Sequence, residues 1–490
     1  MATADDSDWQ SLKRQAEGMV NLAVGHPHPA ALPNAILARA FERAAAGLVA
    51  PSDESVGGAR ARVPMSYVAR RGDPVTIRAM ATFLSDAYSE VASWSARPAR
   101  QDVRGSELLL VAGASHGLDV ACASLTNPGD VVVVETPSYF LAADVFADRG
   151  LRVVGVAGAG LKTSTPEADE TETDASFDVD ALERRLRDGL RPRLVYVVPT
   201  HGNPRSGTMG LEKRKRLLRL AAAYDFYVVA DEVYHLLSWG KGETVPPPRF
   251  RALEREMRRQ EGGRRESDEG TDEESTRDAD DAYAPPASDD ADAPPGSVDD
   301  DEASRAISLG SFSKILAPGV RFGWIEASPS VIRALANRGY LSGGGCVTPL
   351  SAAVVTSVIA SGDQTEWLEA LRVRYASASG VLTSAVREEI ASTGWRMRCV
   401  PSGGYFAWIE LPEECDLELF ALEAKRERVA MLEGGRCVAG EADAEAVAAC
   451  ARCIRVCFAY LDEEDIAEGV RRLARAVRGA RRGGCGIVKN

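Results

Sequence analysis

Residues 194–234 open with Leu194-Val195-Tyr196-Val197-Val198 and the loop Pro199-Thr200-His201-Gly202-Asn203-Pro204-Arg205-Ser206-Gly207. The stretch Leu211–Tyr224 follows, then Tyr227-Val228-Val229-Ala230-Asp231-Glu232-Val233-Tyr234. Two short aliphatic runs rich in valine bracket a segment of helical length and period, which predicts strand, helix, strand. At this spacing the two strands lie side by side in a right-handed βαβ unit of a parallel sheet. The carboxylate of Asp231, directly after an apolar run, is costly to desolvate unless it meets a cation or a donor.

Working outward, the same alternation continues. Leu108–Val111, Val131–Val134, Arg152–Val156, Leu194–Val198 and Phe226–Ala230 read as buried strands. His116–Thr126, Tyr139–Arg149, Asp180–Gly189 and Leu211–Tyr224 read as the helices between them. Arg305–Ser308 and Phe322–Glu326 add two strand-like runs around a polar loop. From Ser330 a long helical stretch leads to strands at Tyr405–Leu411 and Cys453–Phe458 and a final helix, which predicts a smaller α+β unit. The fold class is α/β.

The chain has 490 residues, 45% of them hydrophobic and 27% charged, ordinary values for an enzyme of two packed domains with additions. No apolar run approaches the length of a bilayer span. Met1 to Trp9 is acidic, without the order of a signal peptide or the arginines of a transit peptide. Nine cysteines without framework spacing fit a reducing compartment, and a cytoplasmic location is expected. Cys450, Cys453 and Cys457 lack a second ligand cluster, so no metal is expected.

The net charge of −14 is local. Residues 251–302 hold 19 Asp/Glu against 7 Arg, a net of −12, which leaves about −2 for the remainder. There is no clustered basic face for nucleic acid. The stretch 242–303 is polar and charged, with almost no aliphatic residues after Leu253, and is predicted to be a disordered insertion. Lys162–Ser176 reads as a second surface loop.

Ligands in open α/β sheets sit beyond the carboxyl ends of the strands. After the first strand comes Gly113-Ala114-Ser115-His116-Gly117, a small-residue turn opening a helix, where backbone amides can approach an anion. His116 is read as a helix-start residue rather than a ligand contact. After the second strand stands Tyr139, placed to stack on a planar ligand or simply to pack. The loop with Asn203 and the strand end with Asp231 and Tyr234 follow. Ser308-Leu309-Gly310-Ser311-Phe312-Ser313-Lys314 and then Arg321 complete the series. An anion cradle, an aromatic, an amide, a carboxylate and a lysine thus occur in order, each just past a strand.

This constellation resembles the class I/II aminotransferases, the fold-type I enzymes dependent on pyridoxal 5'-phosphate. The likeness is to the branch with 2-aminoadipate, kynurenine and aromatic aminotransferases. It runs from Asn21-Leu22-Ala23-Val24-Gly25-His26-Pro27 to the last helix. It implies a large domain at 61–325 with a mostly parallel seven-stranded sheet sandwiched by helices. A small domain at 326–490 and an N-terminal arm at 1–60 that closes over the substrate complete the chain.

The resemblance also implies roles. Lys314 would bind the cofactor aldehyde and, once freed, move the substrate proton; Asp231 would pair with the ring nitrogen and Tyr139 would stack on the ring. Asn203 and Tyr234 would bond the ring's O3′. The amides of Ala114 and Ser115, the hydroxyls of Ser311 and Ser313, and Arg321 would hold the phosphate. Arg455 would grip the substrate α-carboxylate, with Gly25 and Asn203 beside it. Tyr67 matches a tyrosine that reaches the phosphate in a neighbouring subunit, which implies a homodimer with shared sites, Gly343-Gly344-Gly345 and Thr348-Pro349 lying near the interface.

The activity expected is amino transfer from an L-amino acid to a 2-oxo acid such as 2-oxoglutarate, by a ping-pong cycle. A lyase on the same fold shares every cofactor residue and stays the alternative. Too few residues precede Asn21 for the DNA-binding module of a fused regulator. No second arginine marks a pocket for acidic side chains, although Arg62, Arg70 and Arg71 could contribute from a loop. A strict preference for acidic side chains is therefore not expected, and the resemblance implies a broad range of aromatic, 2-aminoadipate or other large amino-acid donors.

Overall fold

The computed structural model describes residues 18–49, 67–95, 101–158, 176–268, 303–345 and 347–481. The stretch Met1–Trp9, Arg62 and residues 162–175 and 269–302 lie outside the described residues. The chain runs β1 (Val20–Asn21), α1 (Asn34–Val49), α2 (Pro74–Ser93), β2 (Leu108–Val111), α3 (Ala114–Leu125), β3 (Val131–Thr136) and α4 (Phe140–Asp148). It continues β4 (Arg152–Ala157), α5 (Val179–Arg187), β5 (Pro192–Val197), α6 (Leu211–Tyr224), β6 (Tyr227–Asp231) and α7 (Phe250–Asp268). Then come β7 (Ala306–Ser311), α8 (Phe312–Ile315), β8 (Gly323–Ala327), α9 (Pro329–Ala336), α10 (Gly339–Ser342), α11 (Pro349–Ala360) and α12 (Asp363–Thr393). The C-terminal part holds β9 (Arg396–Met397), β10 (Phe406–Glu410), α13 (Leu417–Arg426), β11 (Val429–Ala430), β12 (Leu432–Glu433), α14 (Ala444–Ala451), β13 (Cys453–Cys457) and α15 (Glu463–Gly479).

Seven strands form one sheet in the order β2-β8-β7-β6-β5-β3-β4, parallel except for β8, which runs against both its neighbours. Because side chains alternate along a strand, both faces of this sheet need cover. Leu194, Tyr196 and Val229 enter one core, while Val195, Val197, Val228 and Ala230 enter a second on the opposite face. The helices between strands supply the cover and are capped locally. Asp178, for example, accepts from the Ala181 amide at 2.9 Å to start α5, whose last turn carries Arg184, Arg185 and Arg187.

The C-terminal part builds a four-stranded sheet, β12-β13-β10-β9, whose pairings are all antiparallel. The N-terminal segment joins it through β1, which pairs in parallel with β11. That pairing delivers Leu22, Ala23 and Val24, all buried, and then Gly25 to the edge of the large sheet.

The stretch predicted to be disordered from residue 242 instead begins with a turn at Gly242–Thr244 and the helix α7. Phe250 and Leu253 are buried in the second core. The charges that suggested disorder are buried in pairs. Arg249 holds Glu326 through two bonds of 2.5 and 2.8 Å, and Arg251 bonds Glu107 at 2.6 Å and Glu254 at 3.0 Å. Glu254 in turn accepts from the backbone amides of Arg305 and Ala306 at 2.7 and 3.2 Å, where β7 begins. Composition cannot distinguish such a network from a solvated charge run, because the partners come from other elements.

Candidate active site

The strands β3, β5, β6 and β7 are parallel, so their carboxyl ends share one edge, and each presents a residue there. The order β6-β5-β3-β4 reverses the sense of succession between β5 and β3, which opens a crevice at that edge. Lys314 lies on α8, the single turn that follows β7. Its Nζ donates to the Gly25 carbonyl at 3.2 Å and faces the rings of Tyr405 and Tyr234 at 5.1 and 5.9 Å. Burial among these groups lowers the amine to about 8 from an ordinary 10.5, with the Arg455 charge acting in the same sense and Asp231 opposing it.

Asp231 ends β6. Its Oδ2 accepts from the Tyr196 hydroxyl at 2.8 Å, and its Oδ1 is buried without a hydrogen-bond partner of good geometry. Burial pushes this carboxyl upward, against the Tyr196 hydroxyl, the Val233 amide and the Lys314 amine, which favour the charged form. Tyr234, three residues on, is buried, with its phenol raised by burial and by the neighbouring Asp231. Tyr139 caps the start of α4 beyond β3 and is pushed up to about 12, first by burial and then by Asp231.

Across the crevice Arg455, buried in the middle of β13, donates to Asn203 Oδ1 at 2.9 Å and to the Ala23 carbonyl at 2.8 Å, and stacks 4.1 Å from Phe406. Its Nε has no partner, and among the described residues no carboxylate pairs with it. An arginine only donates, so the Asn203 oxygen must face it and the Asn203 amide nitrogen is left to donate elsewhere. Gly25 admits the contact with Phe406: a Cβ there would stand 2.9 Å from its ring.

A third group gathers at the start of α3. Gly113, at φ 94°, caps the helix without a side-chain bond, so the first-turn amides at Ala114 and Ser115 are open. Arg321 reaches the same corner. It donates to the Ala112 carbonyl at 2.8 Å and lies 3.4 Å from Ser313 Oγ, which accepts from Ser311 Oγ at 2.9 Å. A Cβ on Gly113 would meet the Arg321 guanidinium at 2.8 Å, which explains the glycine. His116 Nδ1 accepts from the Ala112 amide at 2.9 Å, a local helix-start contact.

The structure thus brings together Lys314, Asp231, Asn203, Tyr234, Arg455 and Gly25 on one side, and Ala114, Ser115, Ser311, Ser313 and Arg321 on the other. Tyr67 stands apart, 88% exposed with its ring beside Gly344. Arg70 and Arg71 do not face the crevice. Arg70 bonds Asn337 at 3.1 Å, and Arg71 bonds the Gly105 and Ser106 carbonyls ahead of β2, at the opposite end of that strand. Two residues of the site escaped the sequence reading. Tyr196 sits on the Asp231 face of the sheet because it pairs with Val229, two residues before Asp231; a lone hydroxyl in a buried aliphatic strand was the available signal. Tyr405, whose hydroxyl donates to the Lys314 carbonyl at 3.1 Å, left no such signal.

These donors fit a phosphorylated pyridine. The partnerless Oδ1 of Asp231 suits a ring N–H, and the open helix start with two hydroxyls and Arg321 suits a phosphate dianion. The sequence profile of "Aminotransferase class I and II" matches residues 60–256 and 279–473. The chain is 29% identical over 377 residues to aromatic-amino-acid aminotransferase 1 of Thermococcus litoralis, covering 76% of this chain and 72% of that one. It is equally 29% identical to the 2-aminoadipate transaminase of Thermus thermophilus, with 77% of each chain covered. The solved α-aminoadipate aminotransferase of Thermus thermophilus superposes with a TM-score of 0.67 at 26% identity, over 96% of this chain and 94% of that one. The multiple-substrate aminotransferase of Thermococcus profundus gives 0.69 at 25%, over 98% and 95%. With the profile spanning most of its length, the chain belongs to the aminotransferase class I and II family, a transaminase of fold type I whose cofactor is pyridoxal phosphate.

Proposed function

We propose that the protein moves the amino group of a large L-amino acid, aromatic or 2-aminoadipate-like, to a 2-oxo acid such as 2-oxoglutarate in two half-reactions of ping-pong order. The observation that carries this reading is the buried Arg455 guanidinium near Lys314, which has no acidic partner among the described residues and a buried Nε without a hydrogen-bond partner. A planar fork matches an α-carboxylate, present on both donor and acceptor. The donor range is supported by relatives named for aromatic amino acids and 2-aminoadipate; Arg70 and Arg71, engaged away from the crevice, give no support for a strict preference for acidic side chains.

When bound, pyridoxal phosphate supplies an aldehyde and a ring that withdraws electrons from the substrate Cα. The chain's own residues do the rest. Asp231, oriented by the Tyr196 hydroxyl, would hold a proton on the ring nitrogen. The Asn203 amide and the Tyr234 hydroxyl would donate to the ring oxygen, and Tyr139 would pack against the ring. Ala114, Ser115, Ser311, Ser313 and Arg321 hold the phosphate. Lys314, whose amine is lowered to about 8, would hold the aldehyde and, when free, would serve as the base and acid for the Cα proton.

We further assign Tyr67 to the phosphate site of a second copy, making the enzyme a homodimer in the cytoplasm. The exposure of Tyr67 supports the dimer. The arm, large domain and small domain are assigned to 1–60, 61–325 and 326–490.

A panel of amino donors, followed by the absorbance of the bound cofactor, tests the reaction. Aromatic amino acids and 2-aminoadipate are expected to convert it to the amine form, with 2-oxoglutarate restoring it. Release of ammonia and pyruvate without amino transfer would establish the lyase instead.

A further inference from the structure

The turn that carries Lys314 is an isolated piece of helix. α8 spans four residues, and its Phe312 carbonyl accepts from the Leu316 amide at 2.8 Å. The Lys314 and Ile315 carbonyls are met by side chains from remote parts of the chain. The Tyr405 hydroxyl donates to the Lys314 carbonyl at 3.1 Å, and Gln364 Nε2 donates to the Ile315 carbonyl at 2.9 Å. Tyr375, one helix side with Gln364 on α12, donates to the Tyr405 hydroxyl at 3.4 Å. Each hydroxyl therefore has a direction: Tyr375 gives to Tyr405, and Tyr405 gives to the lysine's own backbone.

Tyr405 touches Lys314 twice. Its hydroxyl fixes the backbone end, and its ring lies 5.1 Å from the amine at the other end of the same side chain. The residue is fully buried, so neither contact is shared with water. The remaining groups around the amine are Asp231 from β6, Tyr234 from the loop after it, Cys457 and Arg455 from β13, and the Gly25 carbonyl from the N-terminal segment. None of these holds the turn itself.

We propose that Tyr405 is a positioning residue for Lys314, clamping the lysine-bearing turn through its hydroxyl and setting the direction of the amine through its ring. Resting on the assignment of Lys314 as the cofactor-binding lysine, this adds a residue outside the cofactor's own contacts. A reacting group displaced by a fraction of an ångström loses rate far more than it loses binding. The clamp should therefore appear in steps in which the Lys314 amine itself reacts.

The test compares Tyr405→Phe, which keeps the ring and removes the hydroxyl, with Thr356→Val. The latter removes a buried hydroxyl that bonds Thr76 at 2.9 Å between α2 and α11. Three quantities are read on folded protein: the rate at which cofactor-free enzyme captures pyridoxal phosphate, the kcat and KM of amino transfer, and the melting temperature. We expect Y405F to slow capture and lower kcat by about tenfold, with KM within about twofold, while T356V lowers only the melting temperature. If Y405F lowers the melting temperature but leaves capture and kcat at wild-type values, or raises KM alone, Tyr405 is only structural and the proposal is overturned. Should Y405F yield no folded protein, Tyr375→Phe, which withdraws the donor behind Tyr405, must reproduce the pattern at about threefold; wild-type capture and kcat in that variant would overturn it equally. Wild-type protein that captures no cofactor would instead fail the Lys314 assignment.

Discussion

At the scale of single residues, the chemistry of the site follows from what each buried group lacks. Asp231 has a tyrosine on one oxygen and nothing well placed on the other; Arg455 has an amide and a carbonyl but no acid. Lys314 is lowered to about 8 because its ammonium form is buried, and the sign of that shift fixes a pH dependence. Below about pH 8 most of the amine is protonated and unreactive towards an aldehyde. Capture of pyridoxal phosphate by cofactor-free protein should therefore rise about tenfold per pH unit on the acid side and level off above about 8, as stopped-flow absorbance can follow. A rise that continues to pH 10 would mean that the amine is not lowered. The residues of this site that the sequence revealed are those with unusual chemistry at a strand end, such as Asp231 after Ala230. Tyr196 and Tyr405 were hidden because their roles depend on which strand pairs with which and in what register.

At the scale of elements, period and composition revealed the strands and most helices of the large sheet, since an aliphatic run of four to six residues has few other places to go. The same reasoning failed at α7. A charged segment reads as solvated unless its partners are known, and here Glu107, Glu326 and Ser304 come from distant positions. Glu254 is the hub, binding Arg251 and capping the first amides of β7, the strand that ends at Ser311. Replacing it with alanine removes one of the two carboxylates on Arg251, Glu107 remaining, and takes the acceptor from the Arg305 and Ala306 amides. We expect Glu254→Ala to cost about 2–4 kcal/mol in denaturant unfolding, with Glu254→Gln costing less because it keeps an oxygen acceptor. A loss below about 1 kcal/mol for the alanine variant would show that the network contributes little.

At the scale of the whole molecule, the site is assembled from both sheets and from the N-terminal segment, which β1 ties to β11 so that Gly25 meets Lys314. Two-residue pairings of this kind carry no period and were not legible in the sequence. Under the proposed assignment, the exposed Tyr67 would serve the phosphate site of a second copy. If each site borrows that tyrosine, Lys314→Ala and Tyr67→Ala proteins, each weak alone, should regain about a quarter of wild-type activity when mixed and reassociated, because half the dimers then hold one intact site. No recovery would place Tyr67 outside the partner's site.

All of these roles depend on Lys314 being the residue that holds the cofactor. Borohydride reduction of the yellow protein, followed by proteolysis and mass spectrometry, reads that attachment directly. We expect the phosphopyridoxyl mass on the peptide containing Lys314 and its absence from Lys314→Ala; a label on any other lysine, or none at all, would contradict it.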